Sequence, residues 1–204
     1  MGRVSDARDR ILSAAVELIH QRGYASVSVS DICNEAGLKK GSFYHFFPSK
    51  LELVLETLEH FAANQRAAVK SMMQSDGTAR DKLSAMFDQA SKGMSACAAK
   101  SGEIRGCPIG NLALEMAHRE PAIQAKLREV FTQWRAGVES VLQAGIAAGE
   151  FHMEEPRVVA ESLIALLEGS ILLAKATNDP SVFARLGQGA EAILEGAIAS
   201  SKAS

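Results

Sequence analysis

Along almost the whole chain the apolar positions recur at steps of three and four, the period of a helix with one buried face. Strand-like alternation is confined to Val27-Ser28-Val29. Ile11, Leu12, Ala15, Val16, Leu18 and Ile19 predict a first helix over about Asp6 to Arg22, stopped by Gly23. Ser28, with Asp31 three residues on, caps a second that ends at Ala36-Gly37. A short third begins near Lys40 and is closed by Pro48, since the residue before proline is pushed out of the helical region. Ser49 caps a fourth, carrying Leu51, Val54, Leu55, Leu58 and Phe61 as far as the Ser75-Asp76-Gly77 break. A fifth runs from about Thr78 to Ala98 with Leu83, Met86, Phe87, Ala90 and Met94 on its stripe. Pro108 and Pro121 sit where proline is welcome, in the first turns of helices over 108–119 and 121–148; Pro156 opens an eighth and Pro180-Ser181 a ninth. The expectation is an all-α chain of about nine helices. A three-helix head over 1–48 is joined through helix four to a larger helical body over 49–204, with no repeat and no linker between them.

The head carries the most specific local chemistry. Helices two and three are joined by only a few residues around Gly37, which can take positive φ without steric cost, and that is the connection of a helix-turn-helix. Phe43, Phe46 and Phe47 fall on the packed face of helix three. Lys40, Ser42, Tyr44 and His45 are left facing outward, the basic, hydroxyl and aromatic-polar groups that phosphate and base-edge contacts require. A small three-helix bundle with a solvated face is the plain alternative.

Composition narrows the class. The chain has 204 residues, of which 47% are apolar, enough to bury a real core, and a net charge of −2. Residues 1–50 hold Arg3, Arg8, Arg10, Arg22, Lys39, Lys40 and Lys50 against Asp6, Asp9, Glu17, Asp31 and Glu35, so the positive excess lies at the head. The opening MGRVSDARDR has no apolar signal segment, and the richest apolar run is broken by Glu168 and Lys175, so no export and no membrane span are expected and the cytoplasm is the expected compartment. Cys33, Cys97 and Cys107 have neither CxxC spacing nor a histidine at ligand spacing, so reduced thiols are expected, with no metal and no cofactor. Catalysis is not expected. Cys107 and His118, the one nucleophile and base pair in a single helix, would stand roughly 16 Å apart along it.

The stretch VSVSDICNEAGLKKGSFYHFFPSKLEL, residues 27–53, resembles the N-terminal signature of TetR family transcriptional regulators, and the order and lengths of the inferred helices agree with that family. Cys33 departs from it, standing where alanine is common. The resemblance implies a DNA-binding repressor, with an activator of the same family or a helical scaffold that binds no DNA as alternatives. Carried across position by position, it assigns DNA contacts to Ser28, Lys39, Lys40, Gly41, Ser42, Tyr44, His45 and Lys50. Tyr44, His45 and Lys50 are expected mostly at phosphates, Lys40 and Ser42 at base edges, and Gly41 where the backbone comes close to the duplex.

Helix eight is apolar nearly all round, through Val158, Val159, Leu163, Ile164, Leu166, Leu167, Ile171, Leu172 and Leu173, so a second face must bury against something outside its own body. A partner subunit is the economical answer. The resemblance places a homodimer interface on the last two helices, which would present two heads to a palindromic double-stranded operator. Cys107 lies just before helix six, where a helix dipole favours a thiolate and Arg105 is two residues away. Gly106-Cys107-Pro108 with Leu112-Ala113 and Glu115 is similar to a stretch in a subgroup of the family, some of whose members sense electrophiles or oxidants through a cysteine there. A packed small residue is the alternative. A small-molecule effector bound without covalent chemistry would be lined by Phe87, Met94, Cys97, Met116, Phe131, Trp134 and Glu168, with Asn111 and His118 adding polar contacts; a plain core explains any one of these equally well.

Overall fold

The computed structural model describes residues 2–201, with the side chains of 6–183 and 185–198. Every described regular element is helical: α1 (Gly2–Arg22), α2 (Val29–Glu35), α3 (Lys40–Phe46), α4 (Lys50–Gln74), α5 (Ala79–Ser101), α6 (Pro108–Met116), α7 (Pro121–Ala147), α8 (Pro156–Thr177), α9 (Ser181–Ala184) and α10 (Leu186–Ser201). The expected nine are all present, the last in two pieces, α9 and α10, separated at Arg185. Helix α6 is shorter than 108–119. Met116 O accepts from both Arg119 N and Glu120 N, which tightens the chain into a turn before Pro121 restarts it.

Local chemistry accounts for most boundaries. Ser28 and Asp31 form a reciprocal capping box at α2, and Thr78 and Asp81 form another at α5. Ser49 Oγ accepts from Glu52 N at 3.1 Å to start α4. Gly23 ends α1 at φ +84°, and Asn178 ends α8 at φ 49°, a left-handed position that asparagine tolerates.

The chain divides into two compact units. One comprises residues up to Ala63 together with 108–130, and so holds α1 to α3, the first half of α4, α6 and the start of α7. Its head core is a single cluster in which Ile11, Ala15 and Leu18 of α1 meet Ile32 and Cys33 of α2, Phe43 of α3, Phe47 and Leu53. Cys33 is buried as expected, and burial pushes its thiol pKa up.

The other unit comprises 64–107 and 131–204. Here α10 packs on α8 and α5, with Leu83, Phe87, Val138, Leu142, Phe151 and Leu163 buried. Gly137 of α7 leaves room for Val69, whose Cγ2 would stand 2.7 Å from an added Cβ. Asn178 then folds back on the segment before Cys107: its Oδ1 accepts from Ile104 N at 3.0 Å and its Nδ2 donates to Gly102 O at 3.2 Å.

Candidate functional site

The hairpin of α2 and α3 is built around a turn at Gly37, with φ +64°. Leu38 N donates to Cys33 O at 2.9 Å and Gly37 N to Asn34 O at 3.1 Å, which closes α2. The Arg10 guanidinium donates to Ala36 O, tying α1 to the same turn. Phe43 and Phe47 are fully buried and anchor α3, with ring centroids 5.8 Å apart and the Arg8 guanidinium 5.3 Å from the Phe47 ring. Phe46 is half-buried against the same cluster.

With one face anchored, the other is free. Tyr44 is 57% exposed, edge-on to Phe43 at 5.3 Å. Lys39, Lys40, Gly41 and His45 are exposed and Ser42 is half-buried. Gly41 has an ordinary helical backbone, and an added Cβ would meet nothing within 4 Å, so neither packing nor φ requires glycine there. Ser28 is exposed but occupied by capping: its hydroxyl donates to Asp31 Oδ2 at 2.5 Å and accepts from Asp31 N at 3.2 Å, which holds the Asp31 carboxyl below its ordinary pKa.

Lys50, expected at a phosphate, is half-buried beside the turn between α1 and α2. Its ammonium donates to Tyr24 O and to Val27 O, both at 2.8 Å, and lies 3.9 Å from the centroid of the Tyr24 ring. Burial pushes its pKa down, against the attraction of Glu115. Two of its three protons are therefore committed to the turn between α1 and α2. The structure adds Tyr24 and Glu115 to that cluster, through Tyr24 N and Ala25 N donating to the Glu115 carboxylate. The only sequence signal for Glu115 is its place in the Leu112-Ala113-x-Glu stretch, which says nothing of what it touches.

Among the effector candidates, Cys107 and Glu168 are brought together: the thiol donates a hydrogen bond to the Glu168 carboxyl. Cys107 is only 7% exposed, so it is a buried thiol rather than a surface one. Burial pushes the Glu168 pKa up, and the thiol's hydrogen bond offsets only part of this. Its Oε1 is buried with no hydrogen-bond partner. Phe131 and Trp134 stack with centroids 6.1 Å apart, and Trp134 is buried. Phe87 is buried in the core; Met94 and Cys97, on α5, are half-buried. Asn111 and Met116 belong to α6, in the first unit, and His118 is exposed in the turn after it.

Comparison with known proteins gives two matches along the chain. Residues 11–57 fit the bacterial regulatory proteins of the tetR family, and residues 74–190 the tetracyclin repressor-like C-terminal domain. The transcriptional regulator AcuR of Cereibacter sphaeroides is 30% identical over 171 residues, 83% of this chain and 76% of that one. The transcriptional repressor NemR of Escherichia coli is 29% identical over 176 residues, 83% and 84% of the two chains. The solved structure of its reduced form matches with a TM-score of 0.81 at 25% identity, over 93% and 97% of the chains. A tetR-family regulator from Agrobacterium tumefaciens matches with a TM-score of 0.82 at 25% identity, over 96% of this chain and 100% of that one.

Proposed function

Because the chain belongs to the tetR family of bacterial regulatory proteins, and so is a DNA-binding transcriptional regulator and not an enzyme, we propose that residues 1–48 form its operator-reading head and 49–204 its dimerisation and effector-binding body. Family members bind operators as dimers. Repression is the sign of control, in line with a relative named as a repressor.

The observation that carries the head assignment is the division of α3 into a buried Phe43 and Phe47 face and an exposed face of Lys40, Gly41, Tyr44 and His45. Lys40 and Ser42 read base edges, and Lys39, Tyr44 and His45 hold phosphates, while Ser28, both of whose donors go to Asp31, sets the start of α2. The open space above Gly41 lets the backbone approach the duplex. Lys50 supports the turn behind them. For the dimer we assign the exposed Val158, Leu172 and Leu173 of α8, together with α10, to the two-fold interface. Among the described residues no helix is long and apolar enough to cross a membrane, and we place the regulator in the cytoplasm.

For the signal, the hydrogen bond between Cys107 and Glu168 favours an input at this pair, either thiol modification or a small molecule that satisfies Glu168 Oε1. Phe131 and Trp134, with Met94 and Cys97, supply apolar lining for the non-covalent case.

The test is a salt titration of binding to DNA from around the protein's own gene. Wild type should bind with an affinity that falls steeply with salt, as counterion release demands, and Lys40→Ala/Tyr44→Ala should lose at least about tenfold. Unchanged binding in the double variant refutes the head assignment. Release of wild type but not Cys107→Ser by a maleimide selects thiol modification, and indifference of both selects a non-covalent effector.

A further inference from the structure

The turn between α1 and α2 is held from both sides. Glu115, in the last turn of α6, reaches back 91 residues along the chain: Tyr24 N donates to its Oε2 at 2.7 Å and Ala25 N to its Oε1 at 2.8 Å. The Lys50 ammonium, at the start of α4, takes the carbonyls of Tyr24 and Val27. An anion thus satisfies two N–H groups of a five-residue turn while a cation satisfies two of its C=O groups. These charge-assisted bonds are stronger than neutral ones. Gly23 shows that the turn is shaped around this carboxylate: it lies at φ +84°, and an added Cβ would stand 2.9 Å from Glu115 Oε2. The turn ends in the fully buried Val27, and the next residue, Ser28, is the N-cap of α2. All of these groups belong to one compact unit.

We infer that Glu115 is a positioning residue for operator binding, clamping the turn ahead of α2 and so coupling helix α6 to the angle at which α3 meets DNA. The chain from the clamp to α3 has little slack. Val27 is locked in the head core, α2 is only seven residues long, and the turn at Gly37 is tied down by two backbone bonds and by Arg10. A displacement of α6 that drags Glu115 must therefore either break two hydrogen bonds or move the start of α2. Coupling between sites is reciprocal, so operator binding is felt at α6 through the same carboxylate. The inference stands on operator binding alone and does not depend on what acts at Cys107.

Hydrogen exchange on the full-length protein tests it, with and without a duplex selected from random-sequence DNA by the wild type. Wild type should show 23–27 and 108–116 gaining protection together when the duplex binds. In Glu115→Gln an NH₂ donor confronts an N–H that now has an acceptor. Exchange at Tyr24 and Ala25 should rise and affinity for the duplex should fall about tenfold, the loss expected of one charge-assisted hydrogen bond. Helix α6 should then no longer respond to DNA. A residue that only supported the fold would lower the active fraction and leave the response of α6 intact. Wild-type α6 indifferent to DNA overturns the inference without any variant, and so does a Gln variant with wild-type affinity or with its α6 response preserved.

Discussion

Glu168 lies on α8 in a run that includes the buried Leu163, Ile164, Leu167 and Ile171, and its carboxyl is desolvated and partnered by the Cys107 thiol. Removing a carboxylate from water without full pairing disfavours its charged form, which is why its pKa lies above the ordinary 4.5. A carboxyl with a higher pKa in the folded than in the unfolded state takes up protons on folding. Its stabilising contribution is complete below pH 4.5 and is lost as pH rises through the folded value. Wild type should therefore lose stability relative to Glu168→Gln as pH is raised from 4.5 through that window, measured by urea unfolding of both proteins at each pH. A difference that does not vary with pH would show that Glu168 titrates normally. A carboxylate in an apolar helix was visible in the sequence as a group needing a partner, and Cys107 was visible as a thiol. Their pairing was not, because 61 positions separate them and no local period relates them. Lys50 teaches the same lesson: its place in a family motif did not show that its ammonium reaches two backbone carbonyls.

Helices here are shaped by what approaches them as much as by propensity, and two glycines separate the effects. Gly145 of α7 is buried where an added Cβ would stand 2.5 Å from the Phe151 ring and 2.8 Å from Ala79 Cβ. Alanine is the better helix former by about 1 kcal/mol, but overpacking typically costs about 1–3 kcal/mol. Against a fully buried aromatic ring and the first residue of α5 there is little room to give, so Gly145→Ala should destabilise. Gly93 of α5 is exposed with nothing within 4 Å, and Gly93→Ala should stabilise by about 0.5–1 kcal/mol. Chemical denaturation of the pair checks both signs at once; two glycines shifting in the same direction would contradict the packing account. Helix α3 follows the same logic: seven residues cannot hold a helix alone, and Phe43 and Phe47 keep it formed while its other face stays open.

For the molecule as a whole, the assembly should depend on α8. Val158, Leu172 and Leu173 are large, apolar and exposed on a helix whose other side is core. A charge placed there is duplicated by two-fold symmetry. Leu172→Glu/Leu173→Glu should shift the protein to monomer in light scattering and weaken operator binding at least about tenfold, since two heads no longer act together. A double variant that stays dimeric would move the interface elsewhere. By itself the sequence determined the helices, the caps at Ser28 and Ser49, the turn at Gly37 and the sidedness of α3, because each depends on residues within about four positions of one another. The helix-turn-helix and its family could be read for the same reason. Only the tertiary structure decided that Lys50 and Glu115 grip one turn, that Asn178 holds the segment before Cys107, and that Cys107 faces Glu168. Periodicity tells which face of a helix is buried, but the partner waiting there is chosen by the path of the chain, and hydrogen bonds spanning 23 to 91 residues leave no trace in local spacing.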